Sequence, residues 1–139
     1  SILTINKQWK LISDDPAVYG FGAVKSKNSN RVVPIPPKTL QELKEYKKKY
    51  PIDISNRLFP YKNAYGQNAS INKYYKKLDY SISIHDLRHT YATTLIANGL
   101  DFKTVAELMG HDVEMTIKTY SHVTSDMMTR ATNLINSMF

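Results

Sequence analysis

Four side chains in this sequence have the types and spacing to act on a phosphate: His85, Arg88, His111 and Tyr120. Ser83, followed three residues later by Asp86, is a capping-box pattern that opens a helix whose first turns carry His85, Arg88 and His89. At about 100° per residue these three share one sector, and Leu87, Tyr91 and Leu95 fall on the neighbouring sector, where they are expected to face a core. The helix is expected to close at Asn98-Gly99. A second, short helix from Asp101 would bury Phe102, Val105, Ala106 and Leu108 and end at Gly110, leaving His111 just past its C-terminus. Tyr120 follows nine residues later. A guanidinium near a helix N-terminus, with two imidazoles and a phenol returned to it by short helical turns, suits an anion such as a phosphate.

The rest of the chain must hold and surround that constellation. At 139 residues and 42% hydrophobic, the sequence is long enough for one domain with a core of its own. Nineteen Lys and Arg against twelve Asp and Glu give a formal charge of +7, which points to a polyanionic partner, nucleic acid before a membrane surface or a merely soluble basic exterior. No apolar run approaches the ~18 residues of a membrane span, and no signal-peptide pattern is visible, so a soluble, cytoplasmic protein is expected. The absence of cysteine excludes disulfides and Cys-ligated zinc.

In order along the chain, Ser1 to Ile12 alternates apolar and polar residues as a strand does. After the turn signal Asp14-Asp15-Pro16, Val18–Lys25 and Arg31–Ile35 read as two further β runs. Joined through Lys27-Asn28-Ser29-Asn30, they would form a hairpin with lysines at its lip. Pro36-Pro37 ends the sheet, and Thr39–Tyr50 reads as a helix with Leu40 and Leu43 inward and a lysine run outward. Pro51–Ser70 reads as loop, with a short strand at Arg57-Leu58-Phe59. Ser70–Leu78 reads as a basic helix in which Lys73, Lys76 and Lys77 alternate with Tyr74 and Tyr75, as on nucleic-acid surfaces. The expected fold is α+β and mainly α: a small three-stranded antiparallel sheet (1–36), a helical core (37–123) and a C-terminal helix (124–139). In that last helix Met127, Ala131, Leu134, Ile135 and Met138 form one apolar stripe.

Three strings then carry a family resemblance: His85-Asp86-Leu87-Arg88-His89-Thr90-Tyr91-Ala92-Thr93, Leu108-Met109-Gly110-His111 and Tyr120-Ser121-His122-Val123. In this order and spacing they resemble the C-terminal half of the catalytic domain of tyrosine recombinases, the phage-integrase family. Val24–Pro34 is similar to the β-hairpin whose lysine enters the active site in that family. Members of the family carry a further catalytic arginine on a helix upstream of the sheet, and Arg31, Arg57 and Arg130 do not sit in that motif. The resemblance therefore implies a partial catalytic domain, inactive or impaired in isolation, of a longer bacterial or phage-encoded integrase with an N-terminal DNA-clamping domain.

The same resemblance implies site-specific recombination that integrates a mobile element, with Tyr120 as nucleophile forming a 3′-phosphotyrosine and releasing a 5′ hydroxyl. No cofactor or metal would take part. The chemistry fits the residue types, because a phenol with an ordinary pKa of about 10 needs neighbouring cations or a base. Arg88 is a planar fork for non-bridging oxygens. His85 and His111 would hydrogen-bond the phosphate or assist proton transfer, and Lys25, with Lys27 in reserve, would protonate the leaving oxygen. Lys27, Arg31, Lys73, Lys76 and Lys77 are the expected DNA-binding residues. The implied partners are double-stranded attachment sites and three further copies of the protein, joined as a tetramer on DNA through the C-terminal helix and monomeric when free.

Of the ten tyrosines, only Tyr120 stands at the required distance from Gly110-His111. His89 and His122 are expected to be structural. A zinc site at His85 and His89 is disfavoured without cysteine, or a glutamate between them. Two other readings remain: a type IB topoisomerase, sharing the phosphotyrosine chemistry, and a non-catalytic DNA-binding helix pair.

Overall fold

The computed structural model describes residues 1–50, 56–61 and 64–138, which form two compact units, Ser1–Ile71 and Asn72–Phe139. The first unit is built on a long two-stranded ribbon. Strand β1 (Ile2–Ile5) pairs antiparallel with β4 (Arg31–Pro34), and β2 (Lys7–Asp14) pairs with β3 (Ala17–Ala23). The expected three-stranded sheet is thus two two-stranded ladders. The expected hairpin between Val18–Lys25 and Arg31–Ile35 does not form.

The register gives the reason. Ile5 faces Arg31 and Lys7 faces Ala23, so a single residue, Asn6, lies opposite the seven residues Val24 to Asn30. The reversal of the chain comes earlier, at the Asp15-Pro16 turn signal, and β3 folds back on β2 there. The Val24–Asn30 stretch, with its single 3-10 turn at Lys27–Ser29, is an outpouching of one side of the ribbon and carries Lys25 and Lys27. A bulge at Ile12, between the Leu11–Tyr19 and Ser13–Val18 pairs, adds a local kink.

After the ribbon, Pro37 opens helix α1 (Pro37–Lys49), where a missing N–H costs nothing. Arg57-Leu58-Phe59 is irregular rather than a strand. Its role is aromatic packing instead: the Arg57 guanidinium stacks 3.7 Å over Trp9, Phe59 lies 5.1 Å from Tyr46, and Trp9 meets Phe21 edge-on at 5.1 Å. Helix α2 (Ala64–Lys77) starts within the stretch expected to be loop.

The second unit holds the buried core. Helices α3 (Ile84–Ala97), α4 (Phe102–Met109), α5 (Val113–Tyr120) and α6 (Val123–Met138) enclose Ala92, Ile96, Val105, Met109, Tyr120 and Val123. The inward sector of α3 differs in part from the expected one: Leu95 packs against the core, but Leu87 and Tyr91 are nearly half exposed while Ala92 and Ile96 are buried. His85, His89, Ala92 and Ile96 follow helical spacing, so the polar stripe of α3 continues directly into its core stripe. On α4, Met109 takes the buried place expected for Leu108. On α6 only Met127 of the apolar stripe packs on the core; Leu134, Ile135 and Met138 are each more than half exposed. Arg130 ties α6 to the end of α3, donating from Nη1 to the Ala97 carbonyl at 3.2 Å, where a cation also favours the helix C-terminus.

Candidate active site

Local sequence signals place each polar side chain of the site. Ser83 and Asp86 form the capping box: the Asp86 amide donates to Ser83 Oγ at 3.3 Å, and the Ser83 amide donates to Asp86 Oδ2 at 2.7 Å. Asn72 adds a third partner from α2, its Oδ1 accepting from the Ile84 amide at 3.3 Å. The Ser83 side chain, then its amide, hold the Asp86 carboxyl below the usual carboxylate range, and His89 and His85 add a smaller electrostatic pull in the same direction. The start of α3, and with it the orientation of His85, Arg88 and His89, is therefore fixed by its own cap.

Gly110 sets His111. Its φ of 67° is left-handed, and the His111 amide donates to the Ala106 carbonyl at 3.0 Å, closing α4 in the Schellman pattern. Asp112 then starts α5, accepting at Oδ1 from the Glu114 amide at 2.8 Å. One short helix later the chain delivers Tyr120, the last residue of α5, into the core.

Two pairs of side chains meet at this place. Arg88 donates from Nη2 to the Met109 carbonyl and to His111 Nε2, the latter at 2.9 Å. A guanidinium only donates, so His111 accepts at Nε2 as a neutral imidazole. The second pair is His89 and Tyr120, with Nδ1 and the phenol oxygen 2.8 Å apart. The rings of His85 and His89 lie edge to face at 4.4 Å. Tyr120 is 2% exposed; burial pushes its phenol above the ordinary value, and the nearby Arg88 charge opposes that shift.

Of the residues expected to carry chemistry, Arg88, His111 and Tyr120 lie together in the second unit, and exposed His85 borders them through His89. Lys25, the expected acid, and Lys27 belong to the first unit and are exposed on the outpouching of the ribbon. Arg31, expected on DNA, is half-buried and donates to the Ser29 carbonyl at 3.1 Å. Lys73, Lys76 and Lys77 are exposed on the last turns of α2, and Lys73 and Lys76 line a groove of about 450 Å³ with Tyr80, Ser83 and Asp86. His122 is exposed between α5 and α6, outside the constellation. His89, expected to be structural, is the side chain in contact with the phenol. The signal that could have found it is its place four residues after His85, on the stripe that leads into the core. Among the described residues no group of three or more His, Asp or Glu could hold a metal ion.

A small β ribbon thus precedes a bundle of helices in which a buried tyrosine lies against a cluster of Arg and His side chains. The chain belongs to the phage integrase family, whose sequence model matches residues 5–127. It is 30% identical to a XerC-like tyrosine recombinase of Caldanaerobacter subterraneus subsp. tengcongensis, an alignment covering 96% of this chain and 37% of the relative. It is 29% identical to the tyrosine recombinase XerD of Staphylococcus saprophyticus subsp. saprophyticus, over 88% of this chain and 46% of the relative. The chain thus spans less than half the length of these relatives. Among solved structures, the integrase of the Tn1549 transposon in complex with circular intermediate DNA shares the fold, with a TM-score of 0.63 at 22% identity, over 94% of this chain and 49% of that one.

Proposed function

We propose that this chain is the catalytic part of a site-specific recombinase that cuts and rejoins DNA through a 3′-phosphotyrosine at Tyr120. The observation that carries the reading is the convergence of Tyr120 with the Arg88–His111 pair at the end of a buried core. Attack on a phosphodiester concentrates negative charge on the non-bridging oxygens, and a preorganised guanidinium with imidazole donors stabilises that charge. Arg88 and His111 take this role, with His85 at the open edge of the site. Lys25 protonates the departing 5′ oxygen, so each strand end leaves as a hydroxyl able to attack the phosphotyrosine in the rejoining step. By family resemblance, a further arginine from outside these 139 residues completes the charge set. No helix among the described residues is long and apolar enough to cross a membrane, and the protein acts on DNA in the cytoplasm of a bacterial host.

Lys25, Lys27, Arg31, Lys73, Lys76 and Lys77 track the phosphate backbone of an attachment site. The assembly is a tetramer on DNA, with α6 packed on a neighbouring protomer and the free protein monomeric. Leu134, Ile135 and Met138 favour this, because an apolar stripe left more than half exposed by its own chain gains stability when a partner covers it. The direct test uses the full-length protein and a nicked duplex whose cut releases a short fragment. A covalent protein–DNA adduct that Tyr120→Phe abolishes is expected. A bound complex with no adduct would leave only a DNA-binding module, and relaxation of supercoiled DNA without strand exchange would assign a topoisomerase. Deleting residues 124–139 from the same protein is expected to abolish synapsis and keep DNA binding by single protomers.

A further inference from the structure

We propose that His89 is the proton acceptor for Tyr120: it holds the phenol by hydrogen bond before attack and takes its proton as the phenol oxygen bonds to phosphorus. The inference rests on the function proposed above. It assigns to a specific side chain the first proton transfer of the reaction, a step distinct from phosphate binding by Arg88 and His111 and from protonation of the leaving oxygen by Lys25.

The geometry carries it. Attack requires the phenol oxygen to lose a proton to a group already within hydrogen-bond reach, and His89 Nδ1 is 2.8 Å away. Of the imidazoles expected in the site, His111 Nε2 accepts from Arg88 and the His85 ring is set against His89 rather than the phenol. The phenol is buried in an apolar core, where the neutral form is favoured, so the nucleophile does not wait as a phenolate. A neutral phenol donates to the Nδ1 lone pair of a neutral imidazole, and this fixes the His89 tautomer with its proton on Nε2. The charge that His89 acquires has a counterpart on the same helix, the Asp86 carboxylate, which a positive His89 favours in its anionic form.

In the forward step the proton passes from Tyr120 Oη to His89 Nδ1, the Oη–P bond forms, the P–O5′ bond breaks and the 5′ oxygen takes a proton from Lys25. In rejoining, the incoming 5′ hydroxyl gives its proton to the now neutral Lys25 amine as its oxygen bonds to phosphorus, the P–Oη bond breaks, and the His89 imidazolium returns its proton to Tyr120 Oη. Atoms and charge balance with no further reactant. The competing explanation is structural, because a buried tyrosine hydroxyl needs a hydrogen-bond partner whatever the chemistry.

The experiment separates the two in the full-length protein. His89→Asn keeps a carboxamide near the place of Nδ1 and so retains a partner for the phenol, but it cannot take a proton. The readouts are DNA affinity, thermal midpoint, the 13C shift of the Tyr120 ring carbon bearing the hydroxyl, and single-turnover cleavage. Cleavage is measured on an ordinary nicked duplex and on one with sulfur replacing the bridging 5′ oxygen, where the leaving thiolate needs no proton. Expected are unchanged affinity and melting, a Tyr120 signal still typical of a hydrogen-bonded phenol, and cleavage slowed roughly 100-fold or more on both duplexes. Wild-type cleavage by His89→Asn would overturn the proposal. So would rescue by the sulfur substrate, which would move the role to the leaving group, or a parallel loss of affinity or melting, which would make the role structural. Should His89→Asn not fold, His89→Gln supplies the same comparison. Failure of the broader function would look different: wild-type protein would form no Tyr120-dependent adduct on either duplex.

Discussion

The two units of this chain are stabilised in different ways. Asn72–Phe139 has a core of side chains at most 6% exposed, and it closes α3 and α4 with side-chain caps and left-handed glycines. Ser1–Ile71 contributes none of the fully buried hydrophobic residues found among the described positions. Ile2, Ile12 and Val32 are half exposed or more, and the unit is held by ladder hydrogen bonds and the aromatic cluster around Trp9 and Phe59. The Arg88–His111 and His89–Tyr120 pairs are found on the densely packed unit, where rotamers are locked. The exposed Lys25–Lys27 outpouching sits on the lightly packed one. Tyr120 lies inside that core, so its contacts depend on the packing around it.

The largest expected effect lies in the packed unit. Arg88→Lys in the full-length protein keeps the charge but removes the fork that spans Met109 and His111, and cleavage should fall about 10²–10³-fold with DNA affinity little changed. Full cleavage by that variant, measured in single turnover, would remove Arg88 from its role. Next in size is a matched pair of core probes. Ile96→Ala, at 1% exposure, should cost about 2–5 kcal/mol in denaturant unfolding, whereas Ile12→Ala, at 58% exposure on the ribbon, should stay within about 1 kcal/mol. Equal losses would erase the contrast between the units.

Smaller again is Gly110→Ala. A Cβ at φ 67° costs about 1–2 kcal/mol, and because Gly110 also sets His111, cleavage should fall alongside stability. Unfolding and single-turnover assays on one preparation check both. The smallest effect concerns acid. Asp86 and Asp101 have carboxyls held below the usual range by hydrogen bonds from Ser83 and Thr104, so the folded state binds protons less readily than the unfolded one. Their contribution is complete above the ordinary carboxylate range and is lost as pH falls through the lowered folded values. The difference in thermal midpoint between wild type and Asp86→Asn should therefore hold steady down to about pH 4 and shrink below it. A difference that grows on acidification would contradict the assigned cap.

By itself the sequence determined what depends on neighbours a few residues apart. The Ser83–Asp86 box, the Asn98-Gly99 and Gly110 stops and the Asp101 start are all present as read, since caps and left-handed glycines act within one turn of chain. The spacing of Arg88, His111 and Tyr120 was legible for the same reason, because helices with marked starts and ends separate them. The pairing of the ribbon was not. Val18–Lys25 and Arg31–Ile35 look like partners, but which strand takes a ladder is a competition between segments far apart, and the Asp15-Pro16 turn gave β3 to β2 first. The inward face of α3 was legible only at Leu95, because Leu87 and Tyr91 are as apolar as a core requires; the packing of α4, α5 and α6 selected Ala92 and Ile96 instead. His89 belongs with these. Its place four residues after His85 puts it on the stripe that leads into the core, but its contact with Tyr120 exists only because the helices close that core 31 residues later.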